Sequence, residues 1–234
     1  MKKIQKICCC TVIIHFCLIL SSNARAQEIP LQEGWNLFSF SINTTYYDTA
    51  SPPTVASLSN TTFVKVDSLN DVLLSINGKY SLIRNIDSTG ARTFDPNVPS
   101  FFNTLHYLAP GYGYYIKMNV SATLSLNGGY ASPSDKILLQ PGWNLVGCWH
   151  NEVQYESSNP PSVPIPSGIS STQVTSVSDI FASIAGKYSV IVKYDKNGAG
   201  IFDPNLPVYL NSLKYVSPGY GYLIKMTESA YFHY

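Results

Sequence analysis

The residues best suited to chemistry in this 234-residue chain are two aspartates in identical local sequences. Asp95 and Asp203 each occupy the second position of an FDPN segment. Two carboxylates facing each other can act as general acid and base, which would make the protein an extracellular hydrolase. Asp before Pro also forms a turn in which the carboxylate accepts a hydrogen bond from the backbone nearby. We expect the turn, and the hydrolase is the alternative function.

A second group of oxygen-bearing side chains, Asp195, Asn197 and Asp203, has part of the spacing of a calcium-binding loop. Such a loop needs oxygen ligands at alternate positions around a glycine. Ala199 and Leu206 stand at two of the ligand positions and offer no side-chain oxygen. Because a β-hairpin turn uses the same Asp and Gly residues, we expect a turn here. No metal site and no cofactor are predicted, with the calcium site as the alternative.

The signatures of common enzymes are missing from the sequence. The three histidines outside the N-terminal segment, His106, His150 and His233, do not recur at equivalent positions, and there is no His/Cys metal cluster. We find no GxSxG motif, no HExxH motif and no phosphate-binding loop. The chain is therefore predicted not to be an enzyme.

Tyrosine offers the clearest indication of binding, because the chain contains 17 tyrosines and only 12% charged residues. Exposed planar rings with a polar edge are suited to stacking on sugars or on protein partners. We predict Tyr115, Lys117, Tyr107 and Tyr215 as ligand-binding residues, each on a polar strand face or a loop. The expected partner is a polysaccharide, or otherwise another surface protein.

Other aromatic residues are predicted to be structural. Tyr112 and Tyr114 alternate with Tyr115 and Lys117 along one strand, which places the first pair on the core face. Trp35 and Trp143 are expected to anchor the core. Cys148 aligns with Phe40 in the repeat described below, so it is expected to be a small buried hydrophobic residue.

The elements that must position these residues occur twice. Four motifs return with a constant offset of 108 residues: GWNL at 34 and 142, GKYS at 78 and 186, FDPN at 94 and 202, and PGYGY at 110 and 218. A constant offset over this length indicates two copies of one domain. We predict a repeat domain at residues 27–127, a linker at 128–134 and a second repeat domain at 135–234.

Each copy is predicted to be mainly antiparallel β with one or two short helices. Strands are expected at residues 35–40 and 143–149, among others, because β-forming residues alternate between turn-forming Gly, Pro and Asn. The sequences SLND at 68–71 and SVSD at 176–179 have the form of a capping box and predict a helix start. A second helical turn is expected around residues 103–105 and 211–213.

The N-terminal segment predicts export. Residues 1–26 combine a basic start, an apolar stretch and an ARA cleavage pattern, which are the features of a signal peptide. Its removal would take away four basic residues, so 11 would stand against 14 acidic ones, and would leave Cys148 as the one cysteine. Such a weakly acidic chain is not expected to bind nucleic acid. No later segment is apolar over the length of a transmembrane helix.

GWNL near the start of each copy and PGxGY near its end, about 75 residues apart, resemble a module of exported bacterial and archaeal surface proteins. The family has no generally assigned activity. The resemblance implies a secreted, periplasmic or cell-surface protein that binds or interacts without catalysis. A third function, an outer-membrane β-barrel, is suggested by the alternation of Ala230, Phe232 and Tyr234, but the long proline-rich loops disfavour it.

Overall fold

The structure is a computed structural model that describes residues 25–54, 58–87, 90–157, 169–195 and 198–234. The protein is mainly antiparallel β, as predicted, with short helical turns between strands. Most of the predicted signal peptide lies outside the described residues, and Arg25 and Ala26 belong to the first strand.

The strands fall into two series that correspond at the 108-residue offset. The N-terminal half (residues 25–129) contains β1 (Arg25–Leu31), β2 (Gly34–Phe38), β3 (Thr44–Tyr47), β4 (Thr62–Lys65), β5 (Tyr80–Asp87), β6 (Gly90–Phe94), β7 (Tyr107–Leu108), β8 (Tyr114–Met118) and β9 (Ala122–Gly128). The C-terminal half (residues 130–234) contains β10 (Ile137–Leu139), β11 (Gly142–Gly147), β12 (Glu152–Tyr155), β13 (Ser170–Gln173), β14 (Tyr188–Asp195), β15 (Gly198–Phe202), β16 (Tyr215–Val216), β17 (Gly221–Met226) and β18 (Ala230–Phe232).

Each half arranges its strands in the same three sheets. The four-stranded sheets have the orders β2-β8-β5-β6 and β11-β17-β14-β15. The three-stranded sheets have the orders β4-β3-β7 and β13-β12-β16, and the two-stranded sheets pair β1 with β9 and β10 with β18. Among the described strands the pairing is antiparallel except between β3 and β4 and between β12 and β13.

Both predicted capping boxes are present. The Ser68 hydroxyl accepts a hydrogen bond from Asn70 N at 3.2 Å, and the Asp71 carboxylate accepts one from Ser68 N at 3.0 Å. The turn that follows is a 3-10 helix, Leu69–Asp71, and its C-terminal equivalent is a single α-helical turn, Val177–Ile180. These interactions satisfy backbone N–H groups that have no partner within a helix.

The second helical turn begins earlier than predicted. It covers Ser100–Phe102 and Val208–Leu210 instead of residues 103–105 and 211–213. The preceding proline starts each turn, and the asparagine that follows already has an extended backbone. Asn103 Oδ1 accepts a hydrogen bond from Asp95 N at 2.8 Å, which ties the end of the turn to the end of β6.

The predicted core face of β8 is confirmed. Tyr114, Ile116 and Met118 are buried, whereas Lys117 is exposed and Tyr115 is half-buried. Tyr112, just before the strand, is buried as well. The alternation has the period of two that a strand with one buried face requires.

The halves contact each other through equivalent positions. Ser39 N donates to Gly219 O at 3.1 Å, and Gly147 N donates to Gly111 O at 3.0 Å. The second bond joins the positions of the first with the halves exchanged, as a two-fold relation requires. The buried apolar residues of both halves form one continuous cluster. The halves therefore share a core.

Close approach of the halves explains the second glycine of the PGYGY motif. A Cβ on Gly221 would lie 3.0 Å from the Leu37 side chain and 3.3 Å from Gly113 Cα. A Cβ on Gly113 would lie 3.0 Å from the Leu145 side chain. A larger residue at either position would separate the backbones, so the motif serves the contact between the halves.

Cys148 lies in this contact and is fully buried, as predicted. Its backbone N–H donates to Ser39 Oγ at 3.1 Å and to Tyr220 O at 3.2 Å. Burial raises the pKa of the thiol to about 12. The thiolate is the reactive form of cysteine, so this residue is structural.

Candidate functional site

The GWN sequence builds a turn that directs its tryptophan away from the core. Gly34 has a φ of 90°, a left-handed conformation that favours glycine. The Asn36 amide then closes the turn, because its Oδ1 accepts from Gln32 N at 2.9 Å and its Nδ2 donates to Gln32 O at 2.7 Å. Asn144 makes the same two bonds with Gln140. Each turn therefore fixes the start of an edge strand.

The prediction that the two tryptophans anchor the core is wrong. Trp35 is 54% exposed and Trp143 is 44% exposed. Each tryptophan lies one residue before Asn in its strand and so projects from the opposite face to Phe38 or Val146, which are buried. Hydrophobicity alone suggested burial, but the strand register places these rings on the face of each four-stranded sheet opposite to Phe38 and Val146. We call this the outer face.

A lysine stands beside each exposed tryptophan. Trp35 pairs with Lys117 across β2 and β8, and Trp143 pairs with Lys225 across β11 and β17. Lys225 Nζ lies 5.8 Å from the centroid of the Trp143 ring, within the range of a cation–π interaction. Both lysines are exposed. We call each combination the Trp–Lys pair of its half.

Beyond the Trp–Lys pair, the outer face of the N-terminal half continues to two further candidates. Tyr115 lies two residues from Lys117 on the same face and pairs directly with Arg84 of β5. Arg84 is exposed, and Tyr115 is half-buried. Burial is the main cause that raises the pKa of Tyr115, followed by the nearby Tyr194 of the C-terminal half. Predicted residues Tyr115 and Lys117 therefore belong to one surface.

The other two predicted binding residues do not belong to this surface. Tyr107 is only 3% exposed and forms part of the core, and Tyr215 is half-buried. Arg92 donates to the Tyr107 hydroxyl at 3.1 Å. The expected position of Tyr107 on a polar face or loop is wrong, because the Arg92 contact holds strand β7 and its tyrosine against the four-stranded sheet.

The cation in that contact comes from a different strand in each half. In the N-terminal half it is Arg92 on β6, which lies 5.7 Å from the Tyr107 ring. In the C-terminal half it is Lys193 on β14, which lies 3.8 Å from the Tyr215 ring and 4.2 Å from the Tyr220 ring. The register pairs Arg92 with Asn85 and Lys193 with Gly200. Both halves therefore have a cation against this tyrosine, but the two cations occupy neighbouring positions on paired strands instead of equivalent ones.

The two FDPN aspartates form the turns that the sequence predicts. Asp95 Oδ1 accepts from Asn97 N at 2.8 Å, and Asp203 Oδ1 accepts from Asn205 N at 2.8 Å. Each aspartate is held within its own half, and no described hydrogen bond joins one to the other. These contacts account for the recurrence of the aspartates by local folding.

The alternative calcium site falls partly outside the structure. Asn197 is not among the described residues, and the side chain of Asp195 is not described. Asp203 is engaged in its turn. Among the residues that are described, no group of three or more His, Cys, Asp and Glu side chains could hold a metal ion.

A contact between an acidic and a basic side chain, with different residue types in the two halves, closes an equivalent loop in each half. His106 Nδ1 lies 2.9 Å from Asp48 Oδ1, and Lys214 Nζ lies 2.5 Å from Glu156 Oε1. The backbone hydrogen bonds are also equivalent in the two halves, since Asp48 N donates to His106 O and Glu156 N donates to Lys214 O. His106 is thus placed in a loop contact of the same kind as Lys214.

Each half also has an exposed apolar turn. The first contains Phe101 and Phe102, whose ring centroids lie 4.4 Å apart, and the second contains Val208, Tyr209 and Leu210. All five side chains are exposed. The turns carry no charged residue of their own, and they lie outside the outer faces described above.

Comparison with known proteins identifies no relative: no family model, no curated protein and no solved structure matches the chain. In the part of the chain that the structure describes, no helix is long and apolar enough to cross a membrane.

Proposed function

We propose that the protein is a secreted or cell-surface module that binds carbohydrate without catalysis, through the Trp–Lys pairs of its two halves. The observation that carries this proposal is the repetition of the pair. Both tryptophans are exposed, both lysines stand directly opposite them, and both pairs lie on the outer face of equivalent strands.

The chemistry of the pairs suits a sugar ligand. An exposed indole ring presents an apolar face and a polar N–H, which match the apolar and hydroxyl-bearing sides of a sugar ring. The neighbouring ammonium group can donate to sugar oxygens. Because the tryptophans begin edge strands closed by the Asn turns, their backbone is already ordered and little conformational entropy is lost on binding.

Two further parts of the proposal concern architecture and location. We propose that the halves are homologous domains in tandem, supported by the common strand order of their sheets and the 108-residue offset. Export is supported by the signal-like residues 1–26 and by the resemblance of the GWNL and PGxGY motifs to exported surface modules.

The test measures retention of the purified protein on immobilised polysaccharides. Trp35→Ala and Trp143→Ala are each expected to weaken binding by roughly tenfold, because an exposed aromatic contact residue contributes on the order of 1 to 2 kcal/mol. Tyr231→Ala is the matched control, since Tyr231 is an exposed aromatic residue, 62% exposed, on strand β18.

The double variant with both tryptophans replaced should lose binding altogether while its melting temperature stays close to that of the unchanged protein. An equal loss of polysaccharide binding in the Tyr231→Ala control would show that any exposed aromatic residue contributes to binding, whatever its position. A protein that is retained by no polysaccharide would refute the proposal.

A further inference from the structure

The two outer faces differ in what lies beyond the Trp–Lys pair. In the N-terminal half the next row across the strands contains Leu37, Tyr115 and Arg84. In the C-terminal half the equivalent row contains Leu145, Leu223 and Val192. Leu37 and Leu145 are both buried in the contact between the halves. The row is therefore aromatic and cationic in one half and apolar in the other.

The N-terminal row joins the Trp–Lys pair to form a continuous strip. Rows two residues apart along a strand are separated by about 7 Å, and neighbouring strands by about 5 Å. Trp35, Lys117, Tyr115 and Arg84 thus lie within one small surface across β2, β8 and β5. We call these four residues, together with Tyr194 of the other half, the N-terminal strip.

The strip ends at the contact between the halves. Tyr194 is 46% exposed and acts electrostatically on Tyr115, as described above. With the halves exchanged, the position of Tyr115 is taken by Leu223 and that of Tyr194 by Ile86, and both of these residues are half-buried. The contact between the halves therefore supplies a second tyrosine on one side only.

The charge of the strip is uniformly positive. Lys117 and Arg84 are both exposed, and neither has an ion-pair partner within the described residues. The register places no acidic residue on this face, since the other outward positions of β5 and β6 are Leu82, Ile86, Ala91 and Thr93. Arginine binds carboxylate groups through two parallel hydrogen bonds, which lysine and neutral residues cannot reproduce.

We propose that the N-terminal strip binds an acidic carbohydrate, with Arg84 on a carboxylate of the sugar chain and Trp35, Tyr115 and Tyr194 stacked against its rings. This inference rests on the proposed carbohydrate-binding function and adds a ligand class to it. The C-terminal half keeps its Trp–Lys pair but has no arginine in the next row, so the carboxylate site occurs once in the chain and not twice.

The experiment compares polygalacturonate with the same polymer after methyl esterification, which removes the charge and keeps the backbone. The unchanged protein should bind the acidic polymer about tenfold more tightly, because a hydrogen bond between charged groups is stronger than one to a neutral ester. Arg84→Gln should weaken binding to the acidic polymer more than binding to the esterified polymer and so abolish that preference. Because Arg84 is exposed on the outer face, this variant should melt at the temperature of the unchanged protein.

Lys65→Gln is the matched control, because it also removes one exposed positive charge, but from strand β4, outside both Trp–Lys pairs and the N-terminal strip. It should leave the preference for the acidic polymer in place. Equal effects of Arg84→Gln and Lys65→Gln would show general electrostatic attraction and would overturn the proposal. Tyr115→Ala and Tyr194→Ala should weaken binding to both polymers, since stacking does not depend on the carboxylate.

The outcomes separate this inference from the proposed function. If tryptophan-dependent binding to polysaccharides is found but the acidic polymer is not preferred, the carboxylate site is refuted and the carbohydrate-binding function stands. If no polysaccharide is bound at all, both are refuted.

Discussion

At the scale of single residues, the fully buried tyrosines combine packing with a defined hydrogen bond. The Tyr114 hydroxyl accepts from Ala109 N, and the Tyr222 hydroxyl accepts from Ser217 N, each at 2.8 Å. Both rings are completely enclosed. Desolvation therefore raises the pKa of each phenol well above its ordinary value. These tyrosines serve the fold, in contrast to the exposed Trp35 and Trp143.

Tyr222→Phe tests this structural role. The variant keeps the ring but leaves the buried Ser217 N–H without its acceptor, so the free energy of unfolding should fall by about 1 to 3 kcal/mol. Urea unfolding followed by fluorescence would measure the change. Tyr231→Phe, on an exposed ring, should change stability by less than about 0.5 kcal/mol. Equal stability of the two variants would contradict the role.

Buried phenols and the buried thiol also predict sensitivity to alkaline pH. Burial raises the pKa of Tyr188 and of Cys148 to about 12 each, whereas their unfolded values are 10.0 and 9.0. Between these values the unfolded chain releases protons that the folded protein keeps. Stability is therefore fully present below about pH 9 and is lost as the pH rises toward 12.

The urea concentration at the unfolding midpoint should accordingly be lower at about pH 11 than at about pH 8. Phenolate absorbance should rise together with unfolding. Ellman's reagent should not react with Cys148 in the folded protein at about pH 8, because the thiolate is absent and the sulfur is enclosed. Rapid thiol reaction without unfolding would show that the site is open.

At the scale of elements, the cation–tyrosine contacts connect strands of different sheets. Arg92 connects β6 to Tyr107 of β7, and Lys193 connects β14 to Tyr215 of β16. In both halves a cation packs against the tyrosine, but the cation lies on β6 in one half and on β14, the equivalent of β5, in the other. The helical turns add a second connection, since Asn103 and Asn211 bond the backbone of Asp95 and Asp203.

An exchange of the cation between strands tests this equivalence. Arg92→Gly should destabilise the protein by about 1 to 2 kcal/mol, because the contact with the Tyr107 ring and hydroxyl is lost. Adding Asn85→Lys reproduces the arrangement of the C-terminal half, and the double variant should recover part of that loss. A double-mutant cycle in urea measures the coupling. Additive effects would indicate that the two arrangements are not equivalent.

At the scale of the whole molecule, the contact between the halves is formed by backbone and small side chains. Ser39 and Gly147 occupy equivalent positions and meet, since a Cβ on Gly147 would lie 2.7 Å from Ser39 Cβ and 2.4 Å from Tyr112 O. Only one of the two positions can therefore carry a side chain. Asp135, the first residue after the predicted linker, adds a further attachment, because its buried carboxylate accepts a hydrogen bond from the Ser59 hydroxyl at 2.7 Å.

Gly147→Ala should therefore separate the halves and lower the free energy of unfolding by about 1 to 3 kcal/mol. Calorimetry would measure this change, and the broadening of the transition would show reduced cooperativity between the halves. Gly129→Ala is the matched control, since a Cβ there meets no atom within 4 Å. If both variants melt alike, the halves are not held together at this point.

The sequence by itself determined the local features of this protein. The capping boxes, the FDPN turns, the buried face of β8 and the burial of Cys148 follow from short-range chemistry or from alternation, and each is present. Helical turns at Pro99 and Pro207 were misplaced by about three residues, because the sequence does not show that the asparagine after each turn bonds the backbone of Asp95 or Asp203.

Only the tertiary structure decided which aromatic residues face solvent. Trp35 was expected inside and Tyr107 outside, and the structure reverses both. An aromatic residue on an amphipathic strand can occupy either face, and its burial depends on which sheet or half covers that face. Leu37 is buried on the outer face because the other half lies against it, while Trp35, two residues earlier, is not covered. Contacts between residues far apart in the chain, such as Leu37 and Gly221, made that distinction, and no local pattern contains them.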